Sequence, residues 1–145
     1  MFILRQTLIS NLYQVYKAIL EKYFPDGIFK HIVTIPSEKV HIPKDESLMW
    51  RTPHQDGVKT IVDSVEAQGV LPNKFMYVQD DGDGTYTVVD GIHRYLAFTE
   101  LGIKTMQVLV FPYSISKEEF EILSSAANNE YDSWTVSFFT FYLIC

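Results

Sequence analysis

Cysteine is almost absent from this chain of 145 residues. The single one is Cys145, so neither an intrachain disulfide nor a cysteine-based metal site is available. Basic residues are outnumbered, 12 Lys and Arg against 18 Asp and Glu, for a formal net charge of -6. That balance argues against duplex DNA as the main partner, because such binding rests on Lys and Arg neutralising many phosphates. No apolar run is long enough to span a bilayer as a helix. The start, Met1-Phe2-Ile3-Leu4-Arg5-Gln6, has neither a basic leader nor a long apolar stretch. No secretory signal is therefore expected, and a cytoplasmic location is. Also missing are a Gly-rich phosphate loop ending in Lys-Ser/Thr, the Rossmann glycine fingerprint, His-Glu-x-x-His and Gly-x-Ser-x-Gly. The histidines at 31, 41, 54 and 93 are too scattered to propose a metal site, and metal ligands stay unassigned.

What is present is the composition of an ordinary globular protein, 47% hydrophobic and 21% charged, long enough to bury a core. Leu8, Leu12, Val15, Tyr16, Ile19 and Tyr23 recur at spacings of three and four, which predicts an amphipathic helix over about residues 3–24. Pro25-Asp26-Gly27 ends it. Residues 1–28 are read as this helix, 29–132 as the main domain and 133–145 as an apolar, aromatic tail. Strands are expected at 29–35, 38–42, 74–79, 85–90 and 105–111. A helix capped by Thr52, Pro53 and Gln55 should carry Val58, Ile61, Val62 and Val65 on one face and end at Gly69. Ser116-Lys117-Glu118-Glu119 is a second capping box, with Phe120, Leu123 and Ala127 inward. The tail from Trp134 to Cys145 is β-prone and is expected to pair with a sheet edge or with a second copy in a homodimer.

Asp80-Asp81-Gly82-Asp83-Gly84 resembles a calcium loop at first sight. An EF-hand loop closes with Glu at its twelfth position, which from Asp80 or Asp81 falls on Gly91 or Ile92. The glycines and acids are better explained by a hairpin turn.

The most informative stretch runs from Thr85 to Gly102: a strand, a tight turn at Asp90-Gly91, and a helix that opens with Ile92-His93-Arg94. Glycine lets a ligand approach the backbone, the first turn of a helix presents N–H groups, and a guanidinium pairs with oxyanions. These features together describe an anion site suited to phosphate. The competing reading is that Gly91 only makes the turn while Arg94 pairs with Asp90 or Glu100.

The run from Val88 to Val110, with Asp90-Gly91-Ile92-His93-Arg94-Tyr95 at its head, resembles the core motif of the ParB/sulfiredoxin superfamily. Ile42-Pro43 through Arg51, the helix over 53–68 and the segment Glu66 to Pro72 fit the same pattern, and the resemblance covers about residues 32–129. It implies a compact α/β domain, a mixed sheet with flanking helices, that holds a nucleoside triphosphate, ATP or CTP, with Mg²⁺. Gly91, His93 and Arg94 would contact its phosphates. Activities in the superfamily diverge among CTP-dependent partition clamps, ATP-dependent repair of oxidised peroxiredoxin, and phosphorylation of free serine, so the fold alone does not choose a reaction.

Departures from each branch narrow the expectation. Sulfiredoxins carry a cysteine just before the His-Arg pair, where this chain has Ile92, which excludes that thiol chemistry. Partition clamps carry Glu-Asn-x-x-Arg after the following helix. Here Ala127-Asn128-Asn129-Glu130-Tyr131-Asp132 has an Asn without the Arg, and no helix-turn-helix domain is expected after it. A full partition protein is not expected. The serine-kinase branch uses an acid in the loop before the long helix, where Asp45 and Glu46 stand. These are either solvated loop acids or a general base toward a hydroxyl. The expected function is nucleotide binding with hydrolysis or phosphoryl transfer to a small hydroxyl acceptor, Asn128 or Asn129 assisting the metal. The alternative is a non-catalytic, nucleotide-switched module associated with DNA or regulation.

Overall fold

The computed structural model describes residues 2–44, 55–70 and 75–127, with side chains described from Asn11 to Ser124. The described elements are four helices and five strands: α1 (Phe2–Tyr23), β1 (Ile32–Pro36), β2 (Val40–His41), α2 (Gln55–Gln68), β3 (Met76–Asp80), β4 (Tyr86–Asp90), α3 (Ile92–Glu100), β5 (Thr105–Phe111) and α4 (Lys117–Ala127). The expected cap of α2 at Thr52 and Pro53, the loop bearing Trp50 and Arg51, and the tail at 134–145 lie outside the described residues.

The strands form one sheet in the order β1-β5-β3-β4-β2. β3 and β4 are an antiparallel hairpin, β5 runs parallel to β3, β1 lies antiparallel to β5, and β2 lies parallel to β4. This mixed pattern follows from the connections. A tight turn gives the antiparallel pair, whereas α3 carries the chain from β4 past β3 to a parallel β5.

Alternation along each strand sends side chains to two separate cores. Tyr77, Val89, Leu109 and Phe111 face α1 and α4, meeting Tyr16, Ile19, Leu20, Phe24, Phe120 and Leu123. Met76, Val78, Val88, Met106 and Val108 face the other way, joined by Phe98 and by the partly buried Ile61 and Val65. The register shifts between Tyr77 and Val78, a β-bulge just before the β4–α3 turn, where such bulges commonly re-aim a strand end. Phe111 has no exposed surface and makes edge contacts with Phe24, Tyr23 and Tyr77. Truncating such a residue removes about 3–5 kcal/mol.

α1 packs into the first core through Tyr16, Ile19 and Leu20, while Val15 stays 44% exposed, contrary to the helical pattern read from sequence. One residue along an α-helix is a rotation of about 100°, which turns Val15 off the stripe that Tyr16, Ile19 and Tyr23 define. The strand expected at 29–35 begins later, because Phe29–His31 forms a short 3-10 turn. The piece expected at 38–42 narrows to β2, because Ser37–Lys39 forms another. β5 coincides with its expected range. The Ser116 capping box forms reciprocally: Glu119 N donates to Ser116 Oγ at 3.1 Å and Ser116 N to Glu119 Oε1 at 3.0 Å. Among the described residues no helix is long and apolar enough to cross a membrane.

The acids between β3 and β4 make the hairpin. Asp80 Oδ1 accepts from Gly82 N at 2.8 Å, Asp83 Oδ1 accepts from Thr85 N at 3.0 Å, and Asp81 N donates to Thr85 O at 3.0 Å. Asp81 does more than turn the chain. Its carboxylate accepts from Thr87 Oγ1 at 2.7 Å and Thr85 Oγ1 at 3.0 Å, and lies 2.7 Å from His41 Nε2. That last contact fastens the two-residue edge strand β2 to the hairpin.

Candidate phosphate-binding corner

The candidate site is the corner where β4 ends and α3 begins. Gly91 occupies the N-cap of α3 with φ +110°, a conformation that L side chains rarely adopt. Space excludes them as well: a Cβ on Gly91 would stand 2.6 Å from Met76 Cγ, and Met76 is buried at the start of β3. Gly91 is therefore required twice, for its backbone angle and for the close approach of β3. Its carbonyl accepts the first helical bond, from Tyr95 N at 2.8 Å. The amides of the first turn have no acceptor within the helix, and the helix dipole adds positive potential there.

Arg94 lies half-buried in that turn. Its Nη1 donates to the carbonyl of Phe75 at 3.3 Å, which anchors the side chain to the backbone just ahead of β3. Among the described residues this is its one hydrogen bond, out of the five donors a guanidinium offers. Burial pulls the Arg94 pKa down, and the negative charge of Asp90 works against that. An arginine is charged at any ordinary pH, so the result is a partly desolvated cation with donors still to engage. A phosphate oxygen matches that donor set. Glu100, the other suggested partner, sits at the far end of α3.

His93 comes from the same turn, and its imidazole lies against the start of α2. A Cβ added to Gly57 would be 3.0 Å from His93 Cδ2. The first turns of α2 and α3 thus meet beside Arg94. Ile92 packs toward the second core with Tyr95, so the position before the His-Arg pair is part of an apolar wall.

Behind the corner, Tyr16 Oη donates to Tyr77 Oη at 2.6 Å within the first core. Burial pushes both hydroxyls above the ordinary tyrosine range, and Asp90 pushes each further in the same direction. Both phenols are neutral hydrogen-bonding groups that tie α1 to β3 directly behind the turn.

Of the residues singled out from sequence, the structure brings Gly91, His93 and Arg94 together. Asp45, Glu46, Asn128 and Asn129 lie outside the described residues. Sequence reading missed Gly57, Phe75, Met76 and the Tyr16–Tyr77 pair. For Gly57 a signal existed, since a glycine in the first turn of a helix is a poor helix former without evident reason. The others are contacts between distant segments and leave no local mark.

No family model matches the chain. Among curated proteins it is similar to the chloroplastic/mitochondrial sulfiredoxin of Arabidopsis thaliana, 34% identical over 82 residues, which span 56% of this chain and 60% of that protein. Among solved structures it is similar to a C-terminally truncated ParB from Caulobacter crescentus in complex with CTP-γ-S, at 22% identity and TM-score 0.51, covering 66% of this chain and 50% of that one. It also matches the crystal structure of sulfiredoxin from Arabidopsis thaliana at 32% identity and TM-score 0.45, covering 56% of this chain and 84% of that one. The chain is similar to proteins of the ParB/sulfiredoxin-like superfamily. Its mixed sheet with flanking helices is the fold of that superfamily. The corner of this chain holds Gly91 and the His93-Arg94 pair, with Ile92 directly before the pair.

Proposed function

We propose that this chain binds a nucleoside triphosphate, with its phosphates at the first turn of α3. The observation that carries the reading is the half-buried Arg94 guanidinium, anchored by one bond to Phe75 and standing on the first turn of α3. Gly91 has no side chain to block the approach. The likeness in fold to a ParB that holds CTP-γ-S supports the same reading. Arg94 and His93 would take phosphate oxygens, and Mg²⁺ would arrive with the nucleotide, assisted by Asn128 or Asn129.

The reaction we infer is hydrolysis or transfer of the terminal phosphoryl group. In transfer, the oxygen of a small hydroxyl acceptor bonds to the γ-phosphorus, the bond to the β-phosphate oxygen breaks, and the nucleoside diphosphate leaves. The acceptor proton passes to Glu46 or Asp45. Positioning and charge neutralisation supply most of the acceleration in such chemistry, which suits a corner built from a guanidinium and helix amides. ATP and CTP are the nucleotides to compare.

The test is thermal unfolding with ATP, ADP, CTP and GTP in the presence of Mg²⁺. Binding to the folded state raises the midpoint with ligand concentration, and Arg94→Ala should abolish the rise. An unchanged rise in that variant overturns the site. The likeness to ParB favours a second reading, a nucleotide-switched module on DNA without turnover. That reading requires nucleotide-dependent DNA retention that falls steeply with salt, against the net charge of -6.

A further inference from the structure

Six of the seven glycines carry a positive φ: Gly27, Gly69, Gly82, Gly84, Gly91 and Gly102. Each uses the conformational freedom that only glycine has at no steric penalty. Gly57 does not. It sits inside α2, on the first described turn, in a backbone conformation open to any residue. Alanine would be the better helix former there, so its backbone gives no reason for glycine. The reason lies in what faces it. A Cβ on Gly57 would meet three atoms of the His93 imidazole, Cδ2 at 3.0 Å, Nε2 at 3.3 Å and Cγ at 3.4 Å. The ring lies directly against the α2 backbone, in space that a single methyl group would take.

His93 is the second residue of α3 and stands beside Arg94 in the phosphate corner. We infer that Gly57 is a positioning residue for that corner: by leaving out a side chain it lets the His93 ring seat against α2, and this seat fixes where the imidazole meets a phosphate. The inference rests on the nucleotide reading above and adds to it a residue from a separate helix. It also explains why the start of α2 is packed against the start of α3. A methyl group at 57 would force the ring to move by a few tenths of an ångström, or the two helices to part. A polar contact to a phosphate depends on both distance and angle, so a displaced or tilted ring meets it less well.

Because Gly57 acts through His93, its effect must vanish when the ring is gone. The experiment is a double-mutant cycle on the full chain, comparing wild type, Gly57→Ala, His93→Ala and the double variant. Affinity for Mg·ATP and Mg·CTP is measured by titration calorimetry, and the ring signals of the histidines are followed by carbon–proton NMR. Gly57→Ala should weaken binding roughly three- to ten-fold in the wild-type background, the range typical of coupled neighbours. In the His93→Ala background it should change nothing. The His93 ring signals should shift in Gly57→Ala while those of His31 and His41 hold still. The double variant relieves the crowding and gives a folded reference should Gly57→Ala alone unfold.

Equal weakening in both backgrounds would show that Gly57 acts without His93 and overturns the inference. So would unchanged affinity together with unmoved His93 signals. Failure of wild type to bind either nucleotide is a different result: it removes the nucleotide reading itself, and this inference goes with it.

Discussion

The Cα of Gly91 faces Met76 so closely that a Cβ there would lie 2.6 Å from Met76 Cγ and 3.2 Å from Met76 Cβ. The turn into α3 is thereby pressed onto the first residue of β3, and the same contact brings Arg94 within reach of the Phe75 carbonyl. Backbone angle and packing demand glycine independently. Gly91→Ala is therefore expected to destabilise the fold by about 2–4 kcal/mol, from left-handed strain together with overpacking of a buried core. Gly84 supplies the control. It has φ +90°, and among the described residues no atom comes within 4 Å of where its Cβ would stand. Gly84→Ala should therefore show the strain alone, about 1 kcal/mol. Urea denaturation of both variants measures the difference, and equal losses would mean that the Met76 contact is soft.

The corner was legible in the sequence because everything that defines it is local. Asp90-Gly91 announces a turn, the periodicity after it announces a helix, and Gly102 stops that helix with φ +70°. The apolar run 105–111 and the Ser116–Glu119 box were legible for the same reason. Other features depend on partners far away in the chain. Tyr16 and Tyr77 are 61 residues apart, His41 and Asp81 are 40 apart, and Arg94 and the Phe75 carbonyl are 19 apart. Nothing in the periodicity of one segment states which side chain of another it will meet. Likewise, Phe29–His31 carries an apolar pattern that suits a strand, yet Ile28 is buried and the chain turns there, His31 N donating to Ile28 O at 2.9 Å. Packing outweighed local preference.

The tyrosine pair offers a second prediction. Tyr16 Oη donates to Tyr77 Oη at 2.6 Å with both side chains buried. Tyr16→Phe leaves a buried oxygen short of a donor and should remove about 1–2 kcal/mol, while changing both residues to Phe should remove less than the sum of the single losses. Chemical denaturation of the two single variants and the double gives the coupling. Strict additivity would show that the hydroxyls do not act as a pair.

A third concerns the sheet edge. β2 has only two residues, paired to β4 through Val40 and His41. Asp81 ties it through side chains, lying 2.7 Å from His41 Nε2 and accepting from Thr87 and Thr85, while Thr87 Oγ1 itself lies 3.4 Å from His41 Nε2. Asp81→Ala breaks all three contacts and should destabilise by about 2–3 kcal/mol, as expected for dismantling a partly buried polar network. Hydrogen exchange at Val40 and His41 should accelerate before that of Val88 in the sheet interior. Simultaneous acceleration at all three would mean that β2 is held by the sheet as a whole.

The junction of α1 and α4 has a pH dependence of known sign. Burial alone would raise the Glu119 pKa, but the Ser116 amide, the Tyr23 hydroxyl and the Lys22 ammonium outweigh it and hold the carboxyl at about 2. The contacts are short: Tyr23 Oη donates to Oε1 at 2.6 Å and Lys22 Nζ to Oε2 at 3.0 Å. A carboxyl whose folded pKa lies below its unfolded value contributes stability that is present above the unfolded value and is lost as pH falls through the folded one. The contribution should therefore be whole above about pH 5, shrink as pH falls toward 2 and be gone only below about pH 2. Lys22 is exposed, so solvent screening keeps the contribution of the ion pair small. Glu119→Gln keeps an acceptor for Ser116 and removes the titration. The urea midpoints of wild type and Glu119→Gln should differ near neutral pH and converge as the acid range is entered. Midpoints that stay parallel throughout would show that Glu119 contributes by shape alone and that its charge holds nothing between α1 and α4.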